Sequence, residues 1–132
     1  LAACGLPSPH ESPADSITAM SVAMHAAVYE ISQRTGLVVQ LRIGIARGAV
    51  TAGVVGQSKY FYDIWGPAVN LAARLQTAAL PGQTLISDEL KRCLTGHYRF
   101  QDCKQLNLKG FGNVPAWAVV PPDATAEPAA ST

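Results

Sequence analysis

Between Ser12 and Val120 the hydrophobic pattern changes period repeatedly, and each change falls at a proline, a glycine or a small turn cluster. Apolar residues spaced three and four apart give way to strict alternation and then return. Such punctuation predicts short strands interleaved with helices, an α/β or α+β class with a mixed or antiparallel sheet.

The segments read as follows. Ser12 is a predicted N-cap, with Pro13 at the first helical position and Asp15 closing an S-x-x-D capping box. Ile17, Met20, Met24, Val28 and Ile31 form one apolar stripe of a helix ending near Gly36. From Leu37 to Ala46, alternation of Leu37, Val39, Leu41, Ile43 and Ile45 predicts a strand with Arg42 on its other face. Gly48–Gly56 and Tyr60–Trp65 form a hairpin around Gln57-Ser58-Lys59. Gly66-Pro67 opens a second helix with Val69, Ala72, Ala73 and Leu75 on its apolar side, and Pro81-Gly82 ends that unit. A short strand (Gln83–Ile86), a helix capped by Ser87, and strands over Tyr98–Leu108 and Pro115–Val120 complete the pattern. Lys109-Gly110-Phe111-Gly112-Asn113 is the turn between the last two.

Composition narrows the function classes. The net charge is +1 across 132 residues, so no broad basic face suits a nucleic-acid polymer or anionic lipid. At 48% hydrophobic and 14% charged, the chain can fill a core, yet no apolar run approaches the ~20 residues of a membrane-spanning helix. Cys4, Cys93 and Cys103 lack metal-ligand spacing and read as small core residues in a reducing, cytoplasmic setting. His10, His25 and His97 are scattered and read as structural or solvated. The first residues, Leu1–Gly5, read as a strand with no basic region before it, so upstream residues are expected and a signal peptide is not. Residues 121–132 are Pro- and Ala-rich and read as a disordered tail to a domain over 1–120.

Two blocks are specific. Leu41-Arg42-Ile43-Gly44-Ile45 runs on to Gly53-Val54-Val55-Gly56, and Tyr62-Asp63-Ile64-Trp65-Gly66 continues through Val69-Asn70 to Ala73-Arg74. With Cys4-Gly5-Leu6-Pro7 before them and Leu108-Lys109-Gly110 after, they resemble the class III nucleotidyl cyclases in order and spacing. The resemblance covers about Leu1 to Val120. It implies a ferredoxin-like catalytic core, acting as a homodimer with composite sites. ATP or GTP would be cyclised by attack of its 3′-oxygen on the α-phosphorus, with two cations, Mg²⁺ or Mn²⁺, held by two Asp residues.

The resemblance also implies roles. Asp63 would accept from the adenine amino group, where guanylyl cyclases usually carry Cys, and so favours ATP. Asn70 would orient the ribose. Arg74, one turn on, would stabilise charge on the phosphorane-like transition state. Arg42 would hold the triphosphate of the opposite half-site and Lys109 the terminal phosphates. Without the family, Asp63 reads as a strand-end cap for the next helix, and Arg74 and Lys109 as solvated surface charge. Gly44, Gly48, Gly53 and Gly56 match no phosphate-binding loop and read as close packing in the hairpin. Trp65 and Trp117 read as packing or dimer-contact residues.

Departures from the family pattern set the remaining expectations. Both family metal-binding Asp residues and the adenine-contacting Lys precede the Gly5-Leu6-Pro7 block, so the first strand and helices of the domain are expected to be missing here. By itself the chain is then expected to be silent, with no metal ligand of its own. Ala46-Arg47 replaces the usual His-Thr or His-Ser pair, and Pro67-Ala68 stands where Asp-Thr or Lys-Thr is common. The leading reading is an adenylyl cyclase catalytic domain whose parent protein makes cyclic AMP. The alternatives are a guanylyl cyclase and a non-catalytic, nucleotide-binding regulatory module.

Overall fold

A computed structural model describes residues 1–6, 8–96 and 98–120, excluding the side chains of 61 and 102–104. The tail expected from residue 121, His97 and the Cys103 side chain therefore lie outside the described residues. The elements in order are α1 (Pro13–Thr35), β1 (Arg42–Ile45), β2 (Thr51–Val55), β3 (Phe61–Trp65), α2 (Pro67–Ala78), β4 (Gln83–Ser87), α3 (Asp88–Cys93), β5 (Arg99–Leu108) and β6 (Gly112–Val120).

Four strands form one sheet in the order β1-β4-β6-β5. β1 runs parallel to β4, with Arg42 opposite Gln83, and the other pairs are antiparallel, so the sheet is mixed as expected. β2 and β3 form a separate antiparallel hairpin in which Gly53 faces Asp63 and Val54 faces Tyr62.

Strand alternation divides the side chains between two cores. Leu85, Ala116 and Ala118 point to one face and pack with Leu75 of α2, with Ala79 just past its end and with Leu108. Ile45, Ile86 and Val119 point to the other and pack with Ala14 of α1 and Leu90 of α3. The sheet is therefore sandwiched, with α2 on one side and α1 with α3 on the other. Ser87 caps α3 as expected, its Oγ accepting from the Leu90 N–H at 3.3 Å. Lys91 then lies over the Trp117 ring at 4.4 Å, and Trp117 Nε1 donates to Asp88 Oδ1 at 3.0 Å, clamping α3 to β6. Among the described residues no helix is long and apolar enough to cross a membrane.

Several local expectations change. Leu1–Gly5 is not a strand: it has no paired neighbour, and a strand exists only through its ladder. β1 begins at Arg42 rather than Leu37 for the same reason: Leu37, Val39 and Leu41 bond to Thr35, Ser32 and Gly82 instead of joining a ladder. Asp15 does not form a capping box with Ser12. Its carboxylate instead accepts from the Thr95 N–H (3.0 Å), the Thr95 hydroxyl (2.6 Å) and the Gly96 N–H (3.1 Å).

The buried face of α1 also differs from the apolar stripe. Ala14, Thr18 and Ser21 are buried, whereas Met20 and Met24 are 41% and 40% exposed. Small residues let the helix sit close to the sheet, and the Ser21 hydroxyl is satisfied by donating to the Thr18 carbonyl at 2.8 Å. The displaced stripe lines an open groove of about 910 Å³ over the free edge of β1, reaching from Met24 on α1 to Gln76 on α2.

Candidate functional site

The chain leaves β3 and enters α2 through a single residue, Gly66. Its φ of 141° is one that other residues rarely adopt, and a Cβ there would lie 3.3 Å from the Val50 Cα. Pro67 follows at the first helical position, where its missing N–H costs nothing. This short junction joins β3 directly to α2, and the two elements carry Asp63 on one side of it and Asn70 and Arg74 on the other.

Asp63 is exposed in the middle of β3, so it does not cap α2; Gly66 occupies the cap position without a side-chain bond. The Asp63 Oδ1 accepts from the Ile64 N–H at 2.9 Å, which restrains the carboxylate. Across the hairpin stands Gly53, with no side chain to crowd it.

Asn70 and Arg74 are both exposed, one turn apart on α2. The opposite side of the helix lies on β1. A Cβ on Gly44 would fall 2.2 Å from the Ala72 carbonyl oxygen, and one on Gly48 would fall 3.2 Å from the Ala68 Cβ. Gly44 is thus a contact with α2, not with the hairpin as its sequence context suggests. Gly53 and Gly56 do belong to the hairpin.

Lys109 sits exposed in the turn between β5 and β6, which is tighter than expected because Leu108 already pairs with Gly112. Its neighbours Leu108 and Phe111 pack into the core that holds Leu71 and Leu75, so the turn belongs to the α2 side of the sheet. Arg42 is also exposed and shares that face, but it opens β1 at the far end. The β4–β6 register carries the level of Arg42 to the Val120 end of β6, whereas Lys109 lies beyond Gly112. The nine residues of β6 between those levels span roughly 26 Å. Asn70 and Arg74 thus share α2, Asp63 lies on the adjoining β3, and Lys109 lies on the same side of the sheet at the end opposite Arg42.

The large groove is not this site. Arg42 lines it, but Asp63, Asn70, Arg74 and Lys109 do not. Sequence reasoning missed Gly44 as a site-supporting residue, although its place two residues after Arg42 on an alternating strand was the available signal. Among the described residues no three His, Cys, Asp or Glu side chains converge, so the residues present do not fit a two-cation site.

The family described as adenylate and guanylate cyclase catalytic domain matches residues 1–121. An adenylate cyclase of Mycobacterium tuberculosis is 32% identical over 124 residues, covering 94% of this chain and 28% of that protein. The chain thus spans under a third of the length of that curated relative. Among solved structures, the guanylate cyclase domain of RhGC from Catenaria anguillulae in complex with GTP is similar at a TM-score of 0.82 and 27% identity. The adenylyl cyclase CyaB from P. aeruginosa is similar at 0.75 and 31%. Each of these two alignments covers 88% of this chain and 64% of the other.

Proposed function

Because this chain belongs to the adenylate and guanylate cyclase catalytic domain family, we propose that the protein carrying it converts ATP to 3′,5′-cyclic AMP and pyrophosphate. The observation that carries the choice of ATP is Asp63. One carboxylate oxygen is held by the Ile64 N–H, which leaves the other to accept from a ligand. Adenine offers an amino donor where guanine offers a carbonyl oxygen, so a fixed acceptor attracts the first and repels the second. The likeness to adenylate cyclases of bacteria supports the same choice.

In this reading the ribose 3′-oxygen bonds to the α-phosphorus while the bond from that phosphorus to the bridging β-phosphate oxygen breaks. The hydroxyl proton passes to solvent water and pyrophosphate departs. Asn70 orients the ribose, and Arg74 offsets the negative charge that grows on the phosphoryl oxygens. Lys109 grips the terminal phosphates. Arg42 serves the triphosphate held by a second copy of the chain, because one triphosphate cannot reach both Arg42 and Lys109 across roughly 26 Å. A homodimer with shared sites follows. The exposed apolar side chains of the hairpin, Val54, Tyr62 and Trp65, are suited to being covered in it. Divalent cations of the kind the family uses would neutralise the phosphates, but the residues described do not fit them and no step here runs through them.

The test is a product assay on the intact protein with ATP and GTP, in the wild type and in Asp63→Cys. Cyclic AMP should dominate, and the substitution should narrow the preference. Faster cyclisation of GTP by the wild type would reverse the substrate assignment. Nucleotide binding without either product would favour a regulatory module.

A further inference from the structure

We propose that Gly44 is a positioning residue for the proposed reaction: its missing side chain lets α2 lie directly on β1 and so sets where Asn70 and Arg74 stand. A Cβ at this position would come 2.2 Å from the Ala72 carbonyl oxygen, 2.3 Å from the Gln76 amide nitrogen and 2.9 Å from the Leu75 carbonyl carbon. All three are backbone atoms of α2, so no rotamer change can relieve the overlap. Only a shift of α2 and β1 relative to one another can.

The direction of that movement matters. At about 100° per residue, Asn70 and Arg74 each lie about 160° around the helix from Ala72, almost diametrically opposite the contact with Gly44. Any push at Gly44 is therefore delivered straight through the helix to those two side chains. Leu75 is fully buried, and Gly48 meets Ala68 one turn closer to the helix start, so the helix moves as a body rather than by local bending. Asp63 and Lys109 are carried by other elements, β3 and the β5–β6 turn. Alanine at position 44 thus changes the spacing between the Asn70–Arg74 pair and the groups on either side of it. A displacement on the order of 1 Å is enough to cost about a hundredfold in rate when geometry is the source of catalysis.

The catalytic half of this inference rests on the proposed cyclase activity; the geometric half does not. The experiment takes the intact protein as wild type, Gly44→Ala and Leu75→Ala. It measures kcat and KM for ATP, corrected for folded fraction by circular dichroism, together with a crystal structure of Gly44→Ala. Leu75→Ala destabilises the same helix by removing buried atoms and adds nothing beneath it. Expected are a shift of α2 away from β1 by about 1 Å, a kcat lowered about a hundredfold with KM changed less than about threefold, and a Leu75→Ala kcat within about threefold of wild type. An unmoved α2, or parallel losses in the two variants, overturns the inference. Should wild type produce no cyclic nucleotide, the functional reading fails by itself and the position of α2 still decides the role of Gly44. Should Gly44→Ala not fold, Gly48→Ala replaces it, since its milder overlap is with a side chain. Its kcat should fall and be restored by Ala68→Gly, and no fall, or no restoration, overturns the inference.

Discussion

Nε2 of His25 lies 2.8 Å from Oγ1 of Thr84, joining the middle of α1 to β4 on the sheet face opposite α2. This bond ties down a helix whose buried face is otherwise small and polar. Desolvation holds the His25 imidazole below its ordinary pKa of 6.5, so the folded state keeps it neutral where the unfolded chain accepts a proton.

Stability should therefore be level above the ordinary histidine range and fall with decreasing pH. Below that range the unfolded state takes up a proton first, and the loss levels off once pH passes the folded pKa. Thermal melts from pH 8 to pH 5 check this, with His25→Gln expected to flatten the profile. An equally steep profile in His25→Gln would place the sensitivity elsewhere.

The Asp15 carboxylate works in the acid range. Hydrogen bonds from the Thr95 hydroxyl and N–H, then Gly96, hold its pKa below 3.8. Its contribution is present above that ordinary value and is lost as pH falls through the lower folded pKa. Asp15→Ala should speed hydrogen exchange at the Thr95 and Gly96 amides and blunt the acid sensitivity of the melting temperature. Unchanged exchange at both amides would refute the clamp.

Truncations at the two cores should separate buried from exposed apolar residues. Leu85 is 1% exposed between β1 and β6, and Leu85→Ala should cost about 2–5 kcal/mol in denaturant unfolding. Met24→Ala, on the uncovered stripe of α1, should cost less than about 1 kcal/mol. Equal losses would mean that the stripe is covered in solution.

The separation of Arg42 from Lys109 along the sheet, with the shared sites proposed from it, predicts complementation. Arg42→Ala and Arg74→Ala should each lower kcat, by about a hundredfold to a thousandfold for Arg74. Mixed dimers of the two should recover activity, because one of their two shared sites keeps both arginines. No recovery in dimers shown to be mixed would argue for sites built within one chain.

Much of this was legible along the chain because it depends on neighbours a few residues apart. Pro13 and Pro67 at helix starts, Ser87 as a cap, the hairpin around residues 57–59 and the Asp63-to-Arg74 block are such local signals, and each element they mark is present. Other features depend on partners far along the chain, and sequence periodicity does not name partners. It put Met20 and Met24 against the sheet, but close approach of α1 selected Ala14, Thr18 and Ser21 instead. It paired Asp15 with Ser12, but the carboxylate found the Thr95 and Gly96 donors 80 and 81 residues away. It extended β1 back to Leu37, but a strand ends where its ladder ends. The sequence by itself marked the candidate residues and the local elements that hold them. Only the tertiary structure decided their distances, because the pairing order β1-β4-β6-β5 put Arg42 and Lys109 at opposite ends of one sheet, and the bare Cα of Gly44 decided how closely α2 could approach it.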